Sequence, residues 1–266
     1  MIRGIKHLTK ILLGQLGYEI RRLESEDCAE VDFLAAKTVK ESQYYSKWAA
    51  PCPLFSPWLG HPDFQKLYEG VAPHTVVSAD RCYILASFAT YASHLRGDFA
   101  ECGVYKGGTA LLLSRVLKET NKMLYLFDSF RGLPQVNPGK DQWFSEGQYA
   151  ASAKVVEELL SDYRSMIDVR CGWIPQTFSG LETRSYAFAH LDVDLYQSAL
   201  DCCTYFYPRL VPGGVILFDE YAFAAARGEK DAVDQFFVDK PESPITLPTG
   251  QAIVLKVADG EPNKAG

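Results

Sequence analysis

From about residue 76 the chain repeats one unit: a short apolar run ending in glycine or a carboxylate, then a stretch of helical length and pattern. This alternation constrains the fold more than any other feature. Strands joined through helices pair in parallel, and a parallel sheet is covered by helices on both faces. The strand-like runs are 98–103, 123–128, 167–171, 187–192 and 215–219. Residues 82–94, 109–119, 152–163 and 196–210 read as helices, the last stopped by Pro212, Gly213 and Gly214, and a further helix is expected near 230–237. Residues 245–247 and 252–257 read as a closing hairpin through Pro248 and Gly250. The prediction is one α/β domain over 76–258: doubly wound, Rossmann-like, with a mostly parallel seven-stranded sheet. A helical cap segment over 1–75 precedes it, and 259–266 reads as a frayed tail.

The first 75 residues follow other rules. Ile2, Ile5, Leu8, Leu12 and Leu16 recur at helical spacing, with Arg3, Lys6 and Lys10 opposite, and Gly14 and Gly17 interrupt the pattern. The reading favours packing on the body or on a second subunit, as in a homodimer or larger homo-oligomer, over contact with a membrane surface. A loop at 48–58 carries prolines between Trp48 and Trp58 and suits a cap over a pocket. No run of 18 apolar residues suggests a membrane span.

The net charge of −6 disfavours nucleic acid, which needs clustered Lys and Arg, and leaves small molecules as the expected partners. The seven cysteines are scattered, with no C-x-x-C spacing for zinc, which fits free thiols in a reducing cytoplasm.

In an open α/β sheet, ligands bind beyond the carboxyl ends of the strands. The first end carries Glu101, Cys102, Gly103, Gly107, Gly108 and Thr109. Its glycines let a ligand lie close to the backbone. The spacing is not that of dinucleotide enzymes, and Glu101 suits a ligand with a positive amino group better than a pyrophosphate. At the second end, Asp128 can accept both ribose hydroxyls of an adenosyl group, or cap the segment that follows. Ser129 follows it, and Gly172 stands just past the third strand; both complete the candidate cofactor contacts. The loop from 129 to 147 has the length and composition of a lid.

The fourth and fifth ends carry acids. Asp192, Asp219 and Glu220 fall within reach of one centre if their strands are neighbours, and bare carboxylates so placed repel. A hard divalent cation such as Mg²⁺ removes that repulsion and can lower the pKa of a bound hydroxyl. Separate caps and loop hydrogen bonds are the plain alternative. Asp194 suits an outer partner of such a site or the cap of the next helix.

Three segments in order, FAECGVYKGGTA (99–110), LFDSFRGLP (126–134) and HLDVDLYQSALDCCTYFYPRLVPGGVILFDEY (190–221), make residues 76–257 resemble the macrocin O-methyltransferase (TylF-type) family. The resemblance implies a class I methyltransferase sheet, with S-adenosyl-L-methionine held by the glycine turn and Asp128. It also implies a divalent metal, typically Mg²⁺, on Asp192, Asp219 and Glu220. Asp192 is then metal ligand and base, for methyl transfer to a sugar hydroxyl of a glycoside. Two positions depart from the family pattern: Val193 replaces a glycine, and Glu220 replaces an aspartate. Two other readings stay open. One is a catechol-type phenol O-methyltransferase with Trp48, Trp58 and Trp143 as aromatic walls. The other is a non-catalytic S-adenosylmethionine-binding protein, which Val193 and Glu220 favour.

Overall fold

The computed structural model describes residues 56–258, so the expectations for the N-terminal amphipathic segment, most of the 48–58 loop and the tail fall outside the described residues. The chain divides into two compact units, 1–60 and 61–266. In the first, residues Pro57–Leu59 form a single 3₁₀ turn.

The second unit is a seven-stranded sheet. Its elements in chain order are α1 (Pro62–Tyr68), α2 (Ala79–Ser93), β1 (Asp98–Cys102), α3 (Gly108–Leu117), β2 (Leu124–Asp128), α4 (Ala153–Leu159), β3 (Ile167–Cys171) and β4 (Tyr186–Leu191). Then come α5 (Tyr196–Phe206), β5 (Leu210–Phe218), α6 (Arg227–Phe237), β6 (Ile245–Thr246) and β7 (Ala252–Leu255). The strand order is β3-β2-β1-β4-β5-β7-β6. The first five strands are parallel, and β7 runs antiparallel to both of its neighbours. The order reverses between β1 and β4, so the cleft expected of a doubly wound sheet opens there. α2 packs on α3, and α5 on α6.

Side chains alternate across a strand. Ala100, Cys102, Tyr125, Phe127, Ala189 and Leu191 join the residues of α5 and α6 in one apolar cluster. The alternate positions Glu101 and His190 therefore point to the opposite face. Burial of Phe99, Phe127, Phe188, Phe206 and Phe218 is complete, and each contributes roughly 1.5–3 kcal/mol of apolar transfer free energy.

Element boundaries differ from the sequence reading by a few residues, and two of these differences have a clear physical cause. α5 stops at Phe206 and tightens into a 3₁₀ turn at Tyr207–Arg209. Pro208 is the cause, since it has no N–H for the Thr204 carbonyl. The glycine pair expected to lie between helix and strand is instead inside β5. Tyr186 pairs with Leu210 and Phe188 with Val215, so residues 211–214 bulge out of register. Gly213 takes φ +79° there, and the bulge is anchored by the Gly213 N–H on the Lys256 carbonyl at 2.7 Å. The closing hairpin is present, with Leu247 N–H donating to the Gln251 carbonyl at 2.8 Å.

Residues 61–75 pack on the sheet domain. The Phe64 ring meets Tyr83 of α2 edge-on at 5.3 Å, and the Arg115 guanidinium of α3 donates to the Leu67 carbonyl at 2.6 Å.

Candidate active site

The glycine turn forms where β1 runs out of partners. Gly103 has φ +83°, and a Cβ on it would lie 1.9 Å from the carbonyl oxygen of Asp192. No other residue type fits without moving one strand end. The Asp192 N–H in turn donates to the Cys102 carbonyl at 2.9 Å, so the ends of β1 and β4 are stitched together at this point. Gly107 takes φ +86°, and a Cβ on Gly108 would press on the His74 backbone at 2.8 Å. These glycines therefore serve backbone packing, with Gly103 alone among them facing the cavity.

The Asp128 carboxylate binds the turn directly. One oxygen accepts the Val104 and Tyr105 N–H groups at 2.7 and 2.9 Å, and the other accepts Phe130 N–H at 2.6 Å. Four lone-pair sites are available on a carboxylate, so room for one more donor remains. Its backbone carbonyl takes the Gly172 N–H at 2.9 Å, which ties in the end of β3.

Over these strand ends lies an open cavity, at the place where a doubly wound sheet takes a small-molecule ligand. Of the residues singled out from sequence, Gly103, Asp128, Ser129, Gly172, Asp192 and Glu220 line it. Tyr105, Tyr149 and Trp173 add aromatic wall. Trp143 does not line it; its side chain is mostly exposed.

On the far side of Gly103 stand Asp192, Asp194 and Glu220, each offering an oxygen within 4.8 Å of the others. Asp194 sits at φ 59°, an uncommon place for a non-glycine residue, in the turn between β4 and α5. Burial pushes the Asp192 carboxyl well up, and the nearby Asp219 and Asp194 charges add to this. Burial likewise raises Asp194, helped by Glu220. Oxygens at these separations match the ligand spacing of a hard divalent cation, whose metal–oxygen bonds are about 2.0–2.6 Å. The all-oxygen donor set fits such an ion.

The sequence reading put Asp219 in this group, and the structure places it one layer deeper. Asp219 is fully buried, ion-paired to Arg81 of α2, with Gln251 Nε2 donating to it at 2.7 Å. Burial would raise its pKa, and His190 with Arg81 more than reverses this, holding it below the usual range. Arg81 also reaches Glu220 at 3.6 Å and lies over the Phe223 ring at 4.9 Å. Asp194 takes the place at the cluster that was expected of Asp219.

Glu101 departs from its expected role as well. Cross-strand register sets it beside His190, and Nδ1 of that ring lies 2.9 Å from its Oε1. The carboxylate is buried beneath the turn and does not line the cavity; neither do Cys102 and Thr109. Glu229, in the first turn of α6, is a further buried acid with no side-chain hydrogen-bond partner on either oxygen. Burial and the charges of Asp192, Glu220 and Asp219 push its pKa well up. Six carboxylates (101, 192, 194, 219, 220 and 229) thus share this end of the sheet with the cationic groups of Arg81 and His190. The surplus is negative and mostly buried, which only a cation or bound protons can relieve.

Arg81, His190 and Glu229 were not singled out from sequence. For two of them a signal was present: His190 interrupts the apolar run YAFAHL and Arg81 precedes the apolar stretch from Cys82 to Leu85, whereas Glu229 stands among Arg227, Lys230 and Asp231 and gives none. A polar residue on a face destined for the core needs a partner.

The pattern of the family described as macrocin-O-methyltransferase (TylF) matches residues 5–248. Among characterised proteins, the chain is 33% identical over 158 residues to 8-demethyl-8-(2,3-dimethoxy-alpha-L-rhamnosyl)-tetracenomycin-C 4'-O-methyltransferase of Streptomyces olivaceus, covering 54% of this chain and 59% of that protein. It is 28% identical over 159 residues to demethyldecarbamoylnovobiocin O-methyltransferase of Streptomyces niveus, again covering 54% and 59%. Mycinamicin III 3''-O-methyltransferase of Micromonospora griseorubida is 30% identical over 146 residues, 49% of this chain and 58% of that one. The chain thus spans somewhat under two thirds of the length of these relatives. Among solved structures, the O-methyltransferase NovP superposes with a TM-score of 0.64 at 21% identity, covering 87% of this chain and 99% of that one. The calicheamicin methyltransferase CalS11 gives 0.58 at 17%, covering 88% and 94%. These likenesses establish the fold.

Proposed function

The chain belongs to the macrocin O-methyltransferase (TylF) family, and from that premise we propose that it transfers a methyl group from S-adenosyl-L-methionine to a hydroxyl of a sugar or glycoside. The observation that carries this reading is a cavity with Gly103, Asp128 and Gly172 on one side and the Asp192, Asp194 and Glu220 carboxylates on the other. An adenosyl cofactor and a hydroxyl acceptor need those two chemistries side by side. The three relatives act on natural products, and the names of two of them specify a sugar position or a rhamnosyl group.

Gly103 and Gly172 line the cavity with bare backbone, and Asp128 keeps the turn in shape through its three amide bonds. Ser129 adds a hydroxyl at the same edge. Asp192, Asp194 and Glu220 would hold a divalent ion such as Mg²⁺. When bound, the cofactor supplies an electrophilic methyl carbon and the ion supplies positive charge that acidifies a hydroxyl. Asp192, which lines the cavity, would receive the hydroxyl proton. Holding acceptor and cofactor in line is the protein's main contribution, on the order of 7 kcal/mol or more for well-aligned groups.

No helix among the described residues is long and apolar enough to cross a membrane. The described cysteines Cys82, Cys102, Cys171, Cys202 and Cys203 are all unpaired, which supports a cytoplasmic location. The deciding experiment is a methyl-transfer assay over a panel of sugars, glycosides and phenols, with and without EDTA. Transfer to sugar hydroxyls that EDTA abolishes is expected. Transfer confined to phenols would replace the sugar reading with the catechol-type one, which the aromatic wall of Tyr105, Tyr149 and Trp173 favours. Cofactor binding with no transfer to any acceptor would favour a binding protein.

A further inference from the structure

The loop between β2 and α4 is tied at two levels. At its neck, Leu133 and Gln148 face one another, with Leu133 N–H on the Gln148 carbonyl at 2.8 Å and Gly147 N–H on the Leu133 carbonyl at 2.9 Å. Gly132, at φ +84°, lies so close to the other arm that a Cβ would sit 2.3 Å from the Gly147 carbonyl oxygen. Neck residues Gly132, Leu133 and Tyr149 line the cavity. The loop is therefore part of the cavity wall.

The second tie is farther out. Asp141 is only 3% exposed although it belongs to a surface loop, and its Oδ1 accepts the backbone N–H of Tyr196 at 3.0 Å. Tyr196 is the first residue of α5, whose own preceding residue, Leu195, offers no side-chain cap. A carboxylate at a helix N-terminus satisfies a free amide and the local dipole. The same Oδ1 lies 2.0 Å from the point a Cβ on Gly228 would occupy, in the first turn of α6. Gly228 is helical, and a glycine inside a helix costs about 1 kcal/mol relative to alanine. The Asp141 carboxylate explains why a glycine stands there. Around this contact, Leu133, Phe144, Leu195 and Ala226 form a small apolar cluster. Lys140 adds a contact over the Tyr196 ring at 4.4 Å and reaches Asp231 at 3.8 Å.

We propose that Asp141 is a positioning residue that latches the 129–149 loop down on the first turns of α5 and α6, and that Gly228 is the seat of the latch. The latch has a consequence at the acid cluster, because Asp194, at its uncommon φ, is two residues before Tyr196. One carboxylate therefore holds both the cavity wall and the turn that carries Asp194. This inference rests on the reading of the cavity as the cofactor and acceptor site.

The test uses the full chain with Asp141→Ala, Asp141→Asn and Gly228→Ala. Trypsin can cut the loop after Arg131 and Lys140, and intact-mass measurement locates the cuts. Gly228→Ala leaves the cut sequence unaltered and expels the carboxylate from the other side. Loss of one charge-assisted bond predicts loop cleavage about tenfold faster in Asp141→Ala and Gly228→Ala, with Asp141→Asn close to wild type. Calorimetry with S-adenosylhomocysteine should show affinity about tenfold weaker in the first two variants and recovered in the third. Loop cleavage unchanged in both Asp141→Ala and Gly228→Ala, or cleavage accelerated evenly along the whole chain, overturns the latch. If the wild type itself binds no S-adenosylhomocysteine, the reading of the cavity fails, and the cleavage data still decide the latch.

Discussion

Glu101 and His190 sit opposite one another on β1 and β4, both side chains fully excluded from solvent, with carboxylate and imidazole 2.9 Å apart. Asp219 flanks the other ring nitrogen at 3.6 Å. Burial pulls the imidazole pKa down, and the two carboxylates more than reverse it, pushing it up to about 10. The ring is an imidazolium bracketed by acids.

Replacing His190 by Gln leaves those acids without their shared cation. The expected cost is about 3–5 kcal/mol of unfolding free energy near neutral pH, measured by urea denaturation. A raised histidine pKa stabilises fully below the ordinary value of 6.5, and the contribution is lost as pH rises through about 10. The stability gap between wild type and His190→Gln should therefore narrow across that window. A gap that stays constant from the lower to the upper limit would rule the ion pair out as its source.

Glu229 gives the same direction with pH, but as a growing penalty instead of a lost contribution. Its pKa is raised in the folded state, so folding retains a proton that the unfolded chain releases above its ordinary value of 4.5. The penalty is absent at low pH and grows as pH rises past that value. Glu229→Gln should melt at a higher temperature than wild type at about pH 8 and converge with it at about pH 4.5. Thermal scans at both pH values check this; a variant less stable than wild type at the higher pH would contradict it.

Asp128 organises the glycine turn through three amides. Asp128→Ala leaves them without their acceptor and should cost about 3 kcal/mol, with S-adenosylhomocysteine affinity falling at least about tenfold. Asp128→Asn keeps one acceptor oxygen and should lose less on both counts. Equal losses in the two variants, by calorimetry and urea denaturation, would point to the charge instead of the bonds.

Asp192→Asn should abolish methyl transfer while S-adenosylmethionine affinity stays within about tenfold of wild type. Turnover that survives this substitution removes Asp192 from its role as base. Mg²⁺ titration of the same variant by calorimetry should show weaker binding, which separates loss of the ion from loss of the cofactor.

The backbone plan was legible because it depends on periodicity and on strand ends, both local properties. Gly103, Asp128, Gly172, Asp192 and Glu220 stand where strand-end reasoning puts them. What eluded it was the direction of side chains after strands pair. Glu101 reads as a ligand contact in isolation, but register turns it toward His190. Asp219 and Glu220 are adjacent just past β5, yet the first is buried on Arg81 and Gln251 while the second stays at the cavity, 3.6 Å from Arg81. The bulge at 211–214 was hidden for a related reason: Gly213 and Gly214 signal a turn, and only pairing with Lys256 keeps them within a strand. Arg81 and Asp141 act across 138 and 55 residues of sequence, separations at which no local pattern reports.

The missing side chain at Gly103 has one last implication. The space it leaves is filled by the Asp192 carbonyl, so the turn proposed for the cofactor and the acid proposed as base share a single van der Waals contact. A mutational path that enlarges residue 103 must displace residue 192 in the same step.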